Sequence, residues 1–308
     1  MDTLEFSKGH GTGNDFVIIP DPEDRMVLTP KLVSALCDRR FGIGADGVLR
    51  VVRAAATAEF AGTGAEWFMD YRNADGSVAE TCGNGIRVFA RYLVDSELVA
   101  TDRLAIGTRA GVVTAVVAGD AVSVTMGLPR VRGEGAARIG GRDLPGTAVD
   151  CGNPHLVCPV PDALTLADLD LTVPPVVDPA LFPDGVNVEL TTLVDHHQVR
   201  MRVHERGVGE TPSCGSGACA VAAATLRAAG QTGGVVTVDV PGGRLTVSLT
   251  GEECVLTGPA VLVARGAVSL AALGAIPAEA CRSGSGGSAT ASGTDLAELA
   301  PGASCRAG

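Results

Sequence analysis

Positive charge is in short supply in this chain: 24 Lys and Arg stand against 35 Asp and Glu, a formal net charge of −11 over 308 residues. That balance excludes a nucleic-acid partner, which would need clustered basic side chains to displace counterions from phosphates. The opening Met1-Asp2-Thr3-Leu4-Glu5 has neither the basic n-region nor the apolar h-region of a signal peptide. No apolar run approaches the roughly 18 residues of a spanning helix. A cytoplasmic protein with no membrane partner is expected. Cysteine pairing is missing too. The nine cysteines are odd in number and contain no C-x-x-C, so neither a disulfide framework nor a metal site is signalled. Cys37, Cys158 and Cys254 lie in apolar patterns and read as small buried hydrophobes.

What is present is a long-period repeat. Gly13-Asn14-Asp15-Phe16-Val17 answers Gly152-Asn153-Pro154-His155-Leu156-Val157, Ala45-Asp46-Gly47-Val48 answers Pro183-Asp184-Gly185-Val186, and Cys82-Gly83-Asn84-Gly85 answers Cys214-Gly215-Ser216-Gly217. The order is kept, with 68 residues from Asn14 to Cys82 and 61 from Asn153 to Cys214. At this length and 46% hydrophobic content, the repeat predicts two domains of one plan related by a pseudo-two-fold axis.

Local patterns place strands at 4–8, 16–20, 47–53 and 65–72, and a short helix from Pro30 to Arg39 with Thr29 as its cap. Ile86, Phe89, Ala90 and Leu93 recur at helical spacing after Cys82. The run 218–229 after Cys214 is apolar nearly all round, which predicts a helix enclosed by sheet. Strands follow at 199–206, 235–240, 244–249 and 254–257. The fold class expected is α+β: two pseudo-symmetric domains, each a curved, barrel-like mixed or antiparallel sheet wrapped around a central helix, with the active site in the cleft between them. The boundaries expected are 1–129 for the first domain, with the last strand of 260–275 returning to it, and 130–259 for the second. The Gly- and Arg-rich stretch 131–142 reads as the crossing point. Residues 276–308, rich in Ser, Gly and Ala, read as a disordered tail that takes Cys281 and Cys305 out of the chemistry.

The duplicated C-G-x-G motif carries the chemistry. Glycines after each cysteine let backbone N–H groups approach a ligand, and a helix start presents unpaired N–H groups and a positive dipole end that suit a carboxylate. The same environment is expected to lower a thiol from about 8.5 toward neutrality. Two such starts on one substrate would place one sulfur on each face of a carbon. Cys214 and Cys82 could then take a proton from one face and return one to the other, inverting the centre. An amino-acid α-proton is far less acidic than a thiol, so preorganised donors must supply the difference, each worth on the order of 3–4 kcal/mol. Asn73, Asn153, Asn187, His155, Glu205 and Arg206 read by pattern alone as turn, loop or strand-end residues, and pattern alone assigns them no role.

At these residues the chain resembles the diaminopimelate epimerases, which act without pyridoxal phosphate. The likeness spans about residues 4–266 and rests on Lys8-Gly9-His10-Gly11-Thr12-Gly13-Asn14-Asp15-Phe16, Gly42-Ile43-Gly44-Ala45-Asp46-Gly47, Tyr71-Arg72-Asn73-Ala74-Asp75-Gly76, Cys82-Gly83-Asn84-Gly85-Ile86-Arg87, Gly152-Asn153-Pro154-His155, Pro183-Asp184-Gly185-Val186-Asn187-Val188-Glu189, and His204-Glu205-Arg206-Gly207-Val208-Gly209-Glu210 leading to Cys214-Gly215-Ser216-Gly217-Ala218-Cys219. The resemblance implies epimerisation of LL- to meso-2,6-diaminopimelate in lysine and peptidoglycan precursor synthesis, with no cofactor and as a homodimer. It implies Cys214 as proton acceptor and Cys82 as proton donor. Gly83, Asn84, Gly215 and Ser216 would hold the reacting end of the substrate, and Asn14, Asn73, Asn153, Asn187, Glu205 and Arg206 the rest, with His155 and Glu205 tuning the thiols. Gly47 stands where the family often carries Gln, and Ser216 where it often carries Thr.

Overall fold

The computed structural model describes residues 3–60, 62–161 and 164–274. The expected tail 276–308 lies outside the described residues. Among the described residues three α-helices and eighteen strands are formed, and all these strands belong to one hydrogen-bonded network.

The network is built twice from one plan. In the first half Thr3–Gly11 pairs antiparallel with Asn14–Pro20, which runs parallel to Gly47–Arg53, itself antiparallel to Trp67–Asn73. Trp67–Asn73 runs parallel to Arg103–Thr108, and two antiparallel hairpins follow through Gly111–Ala118 to Ala121–Met126. The second half repeats the sequence of directions. Arg142–Asp150 pairs antiparallel with Pro154–Pro159, which is parallel to Asn187–Asp195, antiparallel in turn to Gln198–Glu205. Gln198–Glu205 runs parallel to Gly234–Val240, and hairpins lead through Gly243–Leu249 to Cys254–Pro259. The halves join where Ala121–Met126 and Cys254–Pro259 pair antiparallel. Val261–Ser269 pairs with Thr3–Gly11 at one outer edge, and Val176–Val177 pairs with Arg130–Ile139 at the other, so the curved sheet does not close.

Each half folds around one helix. α2 (Gly83–Asp95) begins at Cys82 and packs on the strands of the first half, and its Ile86, Phe89 and Leu93 share a core with Phe16, Leu49 and Trp67. α3 (Gly215–Ala228) begins at Cys214 and packs on strands of the second, sharing a core with Val203, Val238 and Leu256. Its Ala218, Ala220, Ala222 and Ala223 are small enough for strands to close on nearly every side. The few larger residues, such as Val221 and Leu226, each contribute about 1.5–3 kcal/mol on burial. α1 (Pro30–Cys37) has Thr29 Oγ1 accepting from the Leu32 N–H, as its Thr-Pro start predicts. It ends two residues before Arg39, because the Asp38 carboxylate accepts the N–H groups of Arg40 and Phe41 and turns the chain out of the helix.

Two expectations are corrected. The stretch 131–142 is not a crossing segment: Arg130–Ile139 is a strand paired along its length with Arg142–Asp150. One glycine of that stretch, Gly133 at φ 149, sits at a register shift in the pairing, where an extra residue must be absorbed. The middle pair of repeat motifs is also out of register. Gly47 lies opposite Phe16 and Asn187 lies opposite His155, so the counterpart of Gly47 is Asn187. Asp184 and Gly185 fall in the preceding turn, closed by the Gly185 N–H on the Phe182 carbonyl at 3.1 Å.

Candidate active site

The two cysteines occupy the same local structure. Cys82 and Cys214 are each extended and cap their helices with sulfur: the Gly85 N–H donates to Cys82 Sγ and the Gly217 N–H to Cys214 Sγ, both at 3.4 Å. The helix origins lie in contact: a Cβ built on Gly215 would stand 3.4 Å from the Gly83 Cα and 3.5 Å from Asn84 Oδ1. The tighter limit on both glycines is the Leu256 side chain between them, 3.0 Å from a Cβ on Gly215 and 3.2 Å from one on Gly83.

Polar groups cross the seam at this point. Asn84 Nδ2 donates to the Ser213 carbonyl at 3.0 Å and to Asn14 Oδ1 at 3.2 Å, and the Cys82 thiol points to the same Asn14 oxygen at 3.7 Å. Asn14 is held in turn by Asp46, whose Oδ2 accepts from Asn14 Nδ2 at 2.7 Å. Thr12, a β-branched residue at φ 51, donates to Ser213 Oγ at 2.7 Å and accepts from Arg87 Nη2 at 3.1 Å. Such strain persists only where surrounding contacts over-determine it, and here it ties the first half to the residue before Cys214.

The second half contributes the remaining sequence candidates. His155 is fully buried, its Nδ1 2.6 Å from Glu189 Oε1 and its Nε2 3.0 Å from Asn153 Oδ1. Its hydrogen bonds reach neither thiol, and Glu189 lies between it and the start of α3. Asn187 Oδ1 accepts the Arg206 N–H at 2.9 Å, while the exposed Arg206 guanidinium donates to the Asp184 carbonyl at 3.1 Å. Glu205 accepts from the Thr211 hydroxyl. Ser216 Oγ lies 3.6 Å from Cys214 Sγ. Asn73 pairs with Gly47 across the sheet, and its amide donates to Ser77 Oγ at 2.9 Å within its own turn.

The thiols are less acidic than the helix origins alone suggest. Burial pushes Cys82 up to about 11, against the pull of the Gly85 and Asn84 N–H groups and of Arg87, and Glu205 adds to the rise. Burial also drives Cys214 well above its ordinary value, with Glu205 and Glu189 adding to it and the Ser216 and Gly217 groups offsetting only part. The expected drift toward neutrality is overturned because two N–H donors do not replace the lost solvent. Glu205 therefore acts on both thiols, as a carboxyl itself raised by burial.

Several residues that shape the site were not singled out from sequence. Asp46 positions Asn14, Glu189 underlies Cys214, and Arg87 and Thr12 brace the seam. Asn187 and Glu189 are two apart on one strand, so strand alternation places them on the same face, a signal that could have found the second from the first. Among the described residues, no group of His, Cys, Asp or Glu side chains is arranged to hold a metal ion, and no helix is long and apolar enough to cross a membrane.

The family model described as diaminopimelate epimerase matches residues 6–131 and 147–263. A diaminopimelate epimerase from Rhodococcus opacus is 52% identical over 280 residues, covering 85% of this chain and 96% of that protein. One from Acidothermus cellulolyticus is 51% identical over 302 residues, covering 89% and 98%. Among solved structures, a hydroxyproline epimerase from Agrobacterium vitis shares the fold at TM-score 0.64 and 16% identity, covering 87% of this chain and 93% of that one. The chain belongs to the diaminopimelate epimerase family and is an isomerase-class enzyme.

Proposed function

We propose that this member of the diaminopimelate epimerase family interconverts LL- and meso-2,6-diaminopimelate by passing protons between Cys82, Cys214 and one substrate Cα, with no cofactor. The observation that carries the reading is the meeting of two helix origins, each capped by a cysteine and each opened by glycine. From the LL isomer, the Cys214 thiolate takes the α-proton. The C–H electron pair moves into the carboxylate as an enediolate, and the Cys82 thiol delivers its proton to the opposite face of Cα. The cycle ends with a thiol at Cys214 and a thiolate at Cys82.

The N–H groups at Gly83, Asn84, Gly215 and Ser216 suit the charge that gathers on the reacting carboxylate, since each helix origin supplies backbone N–H groups and a positive dipole end. The raised thiols fit this scheme. A sulfur that gives up its proton reluctantly is a stronger base once ionised, which narrows the gap to the α-proton. Asn14, Asn73, Asn153, Asn187, Glu205 and Arg206 bind the rest of the substrate in this reading, including its distal amino-acid end. A shorter amino acid would leave those polar groups unpaired and be rejected. His155 tunes Cys214 through Glu189, and Glu205 tunes both thiols. Action in lysine and peptidoglycan precursor synthesis, a cytoplasmic location and a homodimeric state belong to the same proposal.

Incubation with LL-diaminopimelate in deuterated water tests it: deuterium should enter one Cα as the meso isomer accumulates. Label entering hydroxyproline or another monocarboxylic amino acid, and not diaminopimelate, would reassign the substrate. Reversible thiol oxidation without any label would remove the enzyme reading.

A further inference from the structure

The two thiols share a backbone setting and differ in what lies beneath it. Phe16 and His155 occupy equivalent register positions, as do Leu49 and Glu189. Under α2, a Cβ on Gly85 would meet Leu49 Cδ2 at 3.3 Å and Phe16 Cζ at 3.5 Å; under α3, a Cβ on Gly217 would meet Glu189 Oε1 at 2.7 Å. Five residues after each cysteine the contrast repeats, with Arg87 in the first half and Cys219 in the second.

Arg87 is fully buried, and among the described residues it forms no ion pair. Its donors reach only neutral oxygens, Thr12 Oγ1 at 3.1 Å and the carbonyls of Gly83 and Pro259 at 3.4 and 3.5 Å. Gly11 and Gly258 make the space, since a Cβ at either would come within 3.1 or 3.3 Å of the guanidinium. Burying a cation without a counter-ion is unfavourable unless an anion completes the site. Glu189 is the opposite case: Oε1 is held by His155, while buried Oε2 has no partner. A bare carboxylate oxygen is costly there, and burial holds the Glu189 carboxyl above its ordinary range. Around Cys82 the charged or titratable groups are Arg87, Tyr71 and Glu205; around Cys214 they are Glu189, Glu205, Cys219 and, behind Glu189, His155.

We infer that Arg87 and Glu189 make the two thiols unequal before substrate arrives: Cys82, on the side of the unneutralised guanidinium, is the first of the two to ionise as pH rises, and Cys214, beside the carboxyls, keeps its proton to higher pH. Both act as positioning residues, setting that order without touching the reacting carbon. The inference rests on the two-thiol reading, and the order it assigns favours the protonation pattern left behind by LL-to-meso turnover.

Site-resolved alkylation of the full chain by iodoacetamide, followed across pH by peptide mass spectrometry, reads each thiol without substrate. In the unsubstituted protein Cys82 should ionise at lower pH than Cys214. Arg87→Gln should move the Cys82 midpoint up by roughly one unit, slowing its alkylation about tenfold below that midpoint, and Arg87→Lys should restore it. Glu189→Gln should bring the Cys214 midpoint down and leave Cys82 where it was. Cys214 ionising first or together with Cys82 in the unsubstituted protein overturns the inference, even where Arg87→Gln fails to fold. So does a Cys82 midpoint indifferent to a folded Arg87→Gln. Loss of epimerisation in Cys82→Ala and Cys214→Ala would still stand for the two-thiol reading in those cases, so the two ideas fail separately.

Discussion

In the first half, Phe16 and Leu49 lie beneath the helix turn that begins at Cys82; in the second, His155 and Glu189 hold the same places beneath Cys214. The backbone requires of those positions only that they face inward from a strand and leave room for a glycine one turn into the helix. Their polarity is unconstrained by the fold, so it is free to differ where a pair of otherwise equal thiols must be told apart. Away from the helix origins the contrast runs the other way. Asp70, fully buried in the first half, is shared by Arg50, Arg72 and Arg109, whereas the core cluster around α3 is built from Ala, Val, Leu, Met and Cys.

The comparison can be broken most decisively at the sulfurs. Cys82→Ala and Cys214→Ala should each lower turnover of diaminopimelate by about 10²- to 10⁴-fold, the scale of a lost general acid or base. Deuterium incorporation measures both, and a variant that keeps its rate would show that the halves are not partners.

Next in size is Asp70→Asn, which breaks a buried network belonging to one half alone. It should cost about 3–5 kcal/mol in urea unfolding. Burial would raise the Asp70 carboxyl, but its bonds to Arg72 and Arg109 win and hold it below the usual carboxylate range. Its contribution is therefore fully present above the unfolded value of about 3.9 and is lost as pH falls below it. Unfolding titrations should show stability dropping into acid, with a shallower drop in Asp70→Asn; an unchanged slope would remove Asp70 from the account.

The smallest effects sharpen the contrast. Gly217→Ala would press a methyl against Glu189 at 2.7 Å, and Gly85→Ala would meet Leu49 at 3.3 Å. The first should destabilise by about 1–3 kcal/mol. The second should cost less, because alanine favours a helix and the neighbour is a yielding leucine. Equal shifts in thermal unfolding would mean that the two floors are mechanically alike.

Much of this was legible in the chain itself. Strand patterns marked 47–53 and 65–72, the second found at Trp67–Asn73, and the two C-G-x-G motifs announced helix origins that do cap with sulfur. What escaped depends on pairing across strands. Nothing local distinguishes the Gly-rich strand at Arg130–Ile139 from a linker, because its hydrogen bonds are made to Arg142–Asp150. The alignment of Asp46-Gly47 with Asp184-Gly185 followed letter identity, whereas the register opposite Phe16 and His155 makes Asn187 the counterpart. The acidity of the thiols was misjudged for a related reason: a helix origin can be seen in a sequence, but the desolvation around it comes from residues far away along the chain.

The strand Val261–Ser269 lies along Thr3–Gly11, joining Leu4 to Val268 across nearly the whole described chain. A ribosome must therefore synthesise both cysteine motifs and the entire second half before the first can finish its sheet. Thr3–Gly11 gains Asn14–Pro20 on one edge at once, but its other edge, from Leu4 onward, waits for Val261–Ser269. Shortening the protein from its far end, at residue 260, would accordingly be felt first at its beginning.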